Sequence, residues 1–175
     1  LLVEQLKINM NINNKSFFMS KEYINIYNNL VYFSRNKNIF SIFTKNDTFS
    51  HRLTILLFHL GFFIKNYKSE IDKKKMQDLY DYIFKQLELS IREIGYGDAS
   101  INKKMKDYLN VFHSMLEKIE IWESFSSNEK EDTLKSYINY EGNLSNLCIY
   151  FDKYVAFLSK KPFNLFTKGV IKIEI

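Results

Sequence analysis

One proline and five glycines in 175 residues leave this chain short of turn-formers. A many-stranded sheet needs such residues at most of its reversals, so their scarcity points to long helices joined by few connections. A single cysteine, Cys148, excludes an internal disulfide framework and any zinc site built from several cysteines. It lies in the apolar stretch Leu147-Cys148-Ile149, where a buried, unreactive thiol is expected, and a reducing compartment suits it. Long apolar runs are scarce too. In the apolar heart of the chain the longest charge-free run covers residues 53–64, bounded by Arg52 and Lys65 and containing His59 and Gly61. As a helix it reaches only about 18 Å, against a hydrocarbon core of about 30 Å, so no transmembrane span is expected.

Apparatus for catalysis is equally thin. His51, His59 and His113 show no metal-binding spacing; His51 and His59 lie eight apart on roughly one helix face without a carboxylate or third ligand between them. A buried, hydrogen-bonded role is the expectation for each. Gly95-Tyr96-Gly97 follows a helical pattern rather than a strand and lacks the third glycine of a nucleotide fingerprint. Asp78 and Asp81 are three apart but lack the repeated acidic cluster of a magnesium–diphosphate site, so a solvated face is expected. No serine or cysteine sits in a nucleophile elbow. A non-enzymatic protein without cofactor or metal is the reading.

What the chain does contain is apolar and aromatic: 46% hydrophobic residues, with 16 Phe and 12 Tyr, enough for a sizeable core. Its net charge of +5 suits nucleic acid, a ribosome or an anionic membrane surface as a neighbour. Ser20 is placed to cap a helix to about Ser34 with Ile24, Tyr27, Val31 and Ser34 inward. Ile39, Phe40, Ile42 and Phe43 suggest one or two further turns. Asp47 is placed to cap a helix to about Tyr67 whose apolar stripe, from Phe49 through Leu53, Leu57 and Leu60 to Ile64, is widened by Ile55, Phe58 and Phe62 nearly all the way round, as for the centre of a bundle. Asp72 begins a helix to Ile94, Gly95 standing at its left-handed C-cap. Another helix is expected from about Asn102 to Trp122, with Met105, Tyr108, Leu109, Phe112, Met115, Leu116 and Ile119 inward. Ser126 with Glu129 forms a capping box for a helix ending near Gly142. Ser145 opens the last one, with Phe151, Tyr154, Val155 and Leu158 inward and Pro162 beyond its end. The predicted fold is all-α, a single compact bundle of about six helices over residues 20–175, with a flexible arm at 1–19 and a short extended tail at 170–175.

One segment is more specific. Ser90-Ile91-Arg92-Glu93-Ile94-Gly95-Tyr96-Gly97-Asp98, followed by Asn102-Lys103-Lys104-Met105-Lys106, resembles the hallmark of the ubiquinol–cytochrome c chaperone family: an Arg-Glu-(Met/Ile)-Gly-x-Gly-Asp turn followed by a basic helix start. Asp47, Arg52 and His59 are similar to that family's upstream pattern, and Asn143, Tyr154 and Val155 to its downstream positions; residues 27–43 and 166–173 resemble its first helix with aromatic segment and its final tail. The resemblance covers roughly residues 23–173. Two positions depart from it: an expected aromatic-Gly-Arg reads Phe112-His113-Ser114, and an expected Ala-Arg reads Ser34-Arg35.

The resemblance implies an all-helical, non-enzymatic assembly chaperone for the cytochrome bc complex. It also implies nascent cytochrome b as client, with the ribosome and a second chaperone subunit as further partners; no specific nucleic-acid sequence is expected as a partner, since no aromatic stacking pattern accompanies Lys103, Lys104 and Lys106. The place it implies is the cytoplasmic face of a bacterial inner membrane, or the matrix side of the mitochondrial one, with peripheral membrane association. A helical adaptor for a soluble protein is the alternative, and an isoprenoid-type enzyme a third reading that lacks its paired Asp-rich motifs.

Physically, Gly95 and Gly97 permit two tight bends, Asp98 is placed to cap the following helix, and Arg92 and Glu93 to tie the corner to its neighbours. Three lysines at a helix start oppose the macrodipole and so suggest an external anion. Binding of a greasy client needs exposed apolar side chains rimmed by charge. Tyr96, Ile101 and Tyr108, and the cluster at 40–43, are the apolar candidates. The expected binding set is Arg92, Glu93, Tyr96, Asp98, Lys103, Lys104, Lys106 and Tyr108.

Overall fold

The computed structural model describes residues 21–40, 48–140 and 142–172. Among them, helix α1 spans Lys21–Ser34, α2 Lys37–Phe40, α3 Phe49–Tyr67, α4 Lys73–Glu93, α5 Asp98–Glu120, α6 Ser127–Tyr137, α7 Ser145–Leu158 and α8 Asn164–Lys168. A 3₁₀ turn, Trp122–Ser124, joins α5 to α6. Six of these helices have eleven or more residues and no strand occurs among the described residues, so the all-α bundle expected from the periodicity is the observed architecture. No described helix is long and apolar enough to cross a membrane. The arm at 1–19 lies outside the described residues, as do Ser20 and Asp47.

Helix α3 is the hub. Residues 57–64 are buried without interruption, which a helix can sustain only if neighbours cover it on all sides. It packs against α1, α5 and α7, while α4 lies across α1 and α5, α6 pairs with α7, and α8 lies on α1. A glycine at 61 lets α5 approach: a Cβ there would collide with the tip of the Ile119 side chain and reach ordinary contact with Leu116 and Phe112. Phe58, Phe62 and Phe151 pack ring to ring at 5.3–6.5 Å, and Trp122 meets Phe62 edge-on at 5.4 Å. Asp152 accepts a hydrogen bond from Trp122 Nε1 (2.8 Å) and pairs with Lys130 (2.9 Å), which satisfies the indole donor at the edge of the core.

Local signals predicted several helix ends. Asp72 accepts from the Lys75 amide (2.9 Å), and Ser126 and Glu129 close a capping box. At α3 the cap is Thr48, whose side chain accepts from the His51 amide. Ser145 is the first residue of α7, with the Asn143 side chain and the Glu131 carboxylate of α6 accepting from its N–H (2.7 Å) and hydroxyl (2.9 Å). Cys148 is buried, and burial pushes its thiol up to about 11, as expected of an unreactive cysteine.

Other expectations are corrected. The fully buried face of α1 is Ile26, Asn29, Leu30, Phe33 and Ser34; of the expected line Ser34 is buried and Ile24 and Tyr27 pack half-buried on the core, while Val31 is half-exposed and outside it. The rotation follows from Asn29, only 1% exposed. Its amide nitrogen donates to the Asn25 and Gly169 carbonyls (both 2.8 Å), and its oxygen accepts from the Ile171 amide (2.7 Å). Asn25 adds a bond to the Thr167 carbonyl (2.7 Å). These two asparagines therefore clamp the backbone around α8, which no pattern had indicated. At 170–172 the tail is irregular and held by this clamp, with 173–175 outside the described residues. Helix α6 ends at Tyr137, short of Gly142, because buried Ile138 turns extended (φ −106°, ψ 112°). Phe49, placed in the apolar stripe, is exposed at the first turn of α3.

The three histidines are hydrogen-bonded. His51 donates from Nε2 to the Asn139 carbonyl (3.3 Å) and half-buried His113 meets Tyr80 Oη (3.3 Å). His59 is completely buried among Phe33, Phe151 and Tyr154. Its Nδ1–H donates to the Ile55 carbonyl (2.7 Å), so Nε2 accepts from the Tyr150 hydroxyl (2.8 Å) and the ring is neutral. Burial lowers its pKa from 6.5 to about 4, against the pull of the Ile55 carbonyl.

Two outcomes are expected. Asn29→Leu leaves the Gly169 carbonyl and Ile171 amide without their partner and costs about 2–4 kcal/mol, read from urea unfolding. For His59, the unfolded ring takes up a proton below pH 6.5 and the folded ring only near 4. Folding stability therefore falls as pH drops through that window, by about 3 kcal/mol in total. His59→Gln removes this component, so subtracting its stability–pH curve from that of the parent isolates the histidine.

Candidate functional site

The last turn of α4 runs into a bend whose conformation follows from its glycines. Ile94 keeps right-handed angles, then Gly95 takes φ +99°, which L-residues other than glycine rarely adopt, and its amide donates to the Arg92 carbonyl (2.9 Å). Gly97 is extended (φ −72°, ψ 155°), and α5 starts at the next residue. Residues 92–100 are all exposed, yet they are bracketed by Ile91 and Ile101, which are 1% and 0% exposed. Two buried isoleucines thus anchor an exposed corner.

Arg92 braces it. Its Nε and Nη2 reach Glu88 Oε1 (2.9 and 2.8 Å) one turn back, and its Nη1 pairs with Asp98 across the bend. Burial alone would raise the Glu88 carboxyl, but hydrogen bonds from Lys85 and Arg92 outweigh it and hold the group below its ordinary value. The bond to Asp98, followed by that to Glu88, raises the Arg92 guanidinium further above neutrality. Asp98 was expected to cap α5. It is instead the first residue inside α5, where its charge suits the helix N-terminus, and its carboxylate engages Arg92. Glu93 is exposed and makes no hydrogen bond or ion pair among the described residues.

Because α5 begins at Asp98 and not near Asn102, Lys103, Lys104 and Lys106 lie in its second and third turns. The macrodipole acts mainly within the first turn, so the supposed opposition between these lysines and the helix end does not apply. None of the three makes an ion pair among the described residues, and Lys103 and Lys106 are exposed on one side. The Lys104 ammonium sits 4.5 Å from the Tyr96 ring centroid, a cation–π pair that holds the ring beside α5. Tyr108, one turn further, is half-buried and packed on the core. Ile101, expected at the surface, is fully buried: the early helix start makes it the partner of Met105 in the core. Ile94, the last residue before the bend, is 52% exposed, and Tyr96 is 44% exposed. The apolar component of the corner is therefore Ile94 with Tyr96. Of the cluster at 40–43, residues 41–43 lie outside the described residues.

Opposite charges flanking a Gly-x-Gly turn, Arg92 and Asp98, were the available signal for the brace, obscured by the capping preference of aspartate. A cavity of about 700 Å³ lies elsewhere, between α1, α2 and Val170, and includes Tyr32, Arg35 and Lys37 in its wall. Among the described residues no group of three or more His, Cys, Asp or Glu side chains converges as metal ligands would. The corner offers ammonium groups, a guanidinium already committed to carboxylates, and apolar surface: the chemistry of reversible association. Replacing Gly95 by alanine at φ +99° costs about 1 kcal/mol in chemical denaturation and speeds amide exchange over residues 94–98, while the core amides of α3 keep their protection order.

Set against known proteins, the chain matches the Ubiquinol-cytochrome C chaperone family over residues 42–138. That span takes in α3, α4, the corner, α5 and α6, and is narrower than the stretch of 23–173 over which the motifs resemble the family. No curated protein and no solved structure matches it. The family's name describes a chaperone of ubiquinol–cytochrome c assembly rather than a catalyst, and a chaperone works by binding a partner protein. With more than half of its length matched and the Gly-x-Gly corner inside the matched region, the chain belongs to the ubiquinol–cytochrome C chaperone family.

Proposed function

We propose that this protein holds newly made cytochrome b during assembly of the cytochrome bc complex, and that the α4–α5 corner is where it does so. The exposed bend carries the reading: Ile94 and Tyr96 stand in solvent beside three lysines that no carboxylate within the described fold neutralises. Apolar transmembrane segments of a client cost free energy in water, and even a small apolar surface rimmed by charge offsets part of it while leaving binding reversible. Lys103, Lys104 and Lys106 supply the rim and Tyr96 the aromatic contact, with Tyr108 supporting the same face of α5. Arg92 and Asp98 fix the bend so that little ordering entropy is lost on binding, and Glu93 is left to select basic flanks of the client. No covalent step is assigned to any of these groups. Residues 20–175 act as one chaperone domain in this reading. It works peripherally at the inner face of a bacterial membrane or the matrix side of the mitochondrial one, near the ribosome and with a second chaperone subunit as a further partner.

Deletion of the gene tests the role: the cytochrome b band of a reduced-minus-oxidised spectrum falls, and a normal band with normal quinol oxidation would reject it. Complementation with Lys103→Glu/Lys104→Glu/Lys106→Glu tests the place. Client capture by this variant weakens by about tenfold or more with its thermal unfolding little changed, whereas full restoration of cytochrome b would remove the corner from the mechanism.

A further inference from the structure

Residues 153–172 contain five lysines and no aspartate or glutamate. The other 155 residues hold 20 basic and 20 acidic side chains, so this one segment accounts for the whole net charge of +5. The fold then adds to it. Phe163 packs against Phe63 (6.0 Å) and Tyr67 (5.6 Å), the Tyr67 hydroxyl donates to the Lys161 carbonyl (2.8 Å), and the Lys75 ammonium lies 5.4 Å from the Phe163 ring. The end of α7, with Lys160 and Lys161, is thereby set against the first turn of α4, which is Lys73, Lys74 and Lys75 with no acidic residue. Of these, Lys75 is paired, with Glu22 (2.8 Å). Lys73, Lys74 and Lys160 are exposed and make no ion pair among the described residues. Lys168 and Lys172 continue the basic surface along α8 and the tail, with exposed Val170 between them.

Lysines at the ends of α7 and α8 have an internal reason, since cations favour helix C-termini. Lys73 and Lys74 at the start of α4 have none: they oppose the macrodipole and adjoin one another, at the end of the bundle that also carries Lys160 and Lys161, and of this first turn only Lys75 has a carboxylate partner among the described residues. That arrangement is relieved by an anionic surface outside the molecule. No exposed Phe, Tyr or Trp accompanies Lys73, Lys74, Lys160 and Lys161, so the stacking contacts of a single-strand nucleic-acid reader are missing there, while Val170 framed by lysines suits a lipid interface.

We propose that this lysine-rich end of the bundle docks on the phosphate headgroups of an anionic membrane surface. The choice of lipid over RNA rests on the reading of the chain as a membrane-side assembly chaperone. Helix α4 joins the two surfaces: its 21 residues span about 30 Å, so a molecule standing on this end presents the Gly95–Gly97 corner roughly that far from the lipid plane.

Vesicle flotation with the full chain tests it, using phosphatidylcholine alone and phosphatidylcholine with a third of phosphatidylglycerol. The protein floats with the anionic vesicles and not the neutral ones, and binding falls as salt rises. Lys73→Gln/Lys74→Gln/Lys160→Gln/Lys161→Gln lowers the partition coefficient by about a hundredfold or more, since each lysine near the surface contributes roughly fivefold. The neutral replacements keep the helices, which circular dichroism checks, and the single pair Lys160→Gln/Lys161→Gln gives an intermediate loss should the quadruple variant unfold. Lys103→Glu/Lys104→Glu/Lys106→Glu floats like the parent while losing the client, so failure of the corner and failure of the membrane-docking end are told apart. Equal flotation of parent and quadruple variant overturns the proposal. So does absence of vesicle binding by a parent that binds an RNA oligomer through the same lysines.

Discussion

Helix α3 is buried on every side over residues 57–64, and the need to keep that stretch from water organises the molecule. An amphipathic helix can be satisfied by one neighbour; α3 needs several, and α1, α5 and α7 supply them. Gly61 lets one of these approach closely enough for Ile119, Leu116 and Phe112 to lie against the α3 backbone. The aromatic residues that crowd this centre, Phe58, Phe62, Phe63, Phe151 and Trp122, are all essentially fully buried, and such rings contribute the most burial per residue of any side chain. The outer helices are arranged by this requirement more than by their contacts with one another.

Polar groups inside so apolar an interior are tolerable only when paired, and the fold uses them to fix relationships that apolar contacts leave loose. His59 sits in the middle of α3 as a neutral ring with both nitrogens satisfied, linking α3 to α7 through Tyr150. Asn29 does the same between α1 and the chain after α7, where a leucine would pack but could not hold three backbone groups at once. Among the described residues no buried side-chain nitrogen or oxygen lacks a hydrogen-bond partner.

The Gly95–Gly97 bend is by contrast built at the surface, between two isoleucines that belong to the core. Its rigidity comes from a glycine in a left-handed conformation and an arginine shared by carboxylates on both sides of the turn, and neither device uses up the apolar or ammonium groups displayed beside it. The corner is thus ordered with Ile94 and Tyr96 still exposed. The same long helix, α4, that ends at this corner begins among the lysines at the opposite pole, so one rigid element sets the separation of two chemically different surfaces.

Features that depend on a few neighbouring residues were legible in the sequence. The periodicity showed the all-helical class and α3 as the central helix. Asp72, the Ser126–Glu129 box and Gly95 marked ends where the structure has them, because a cap or a left-handed turn is a local event. The order of Arg92, Glu93, Gly95, Gly97 and Asp98 was enough to suggest the family. What tertiary contacts alone decided was how those helices are rotated, trimmed and joined. Asn29 turned α1 inward by bonding to residues some 140 positions away. The burial of Ile101 accompanied a start of α5 four residues early, moving the lysines out of the first turn. Arg92 drew Asp98 from capping into a bridge, and Phe163 brought the lysines that follow α7 and those that begin α4 to one end of the bundle. Each of these depends on which surfaces meet in space, and a pattern read along the chain carries only the period of a helix, not the identity of what lies against it.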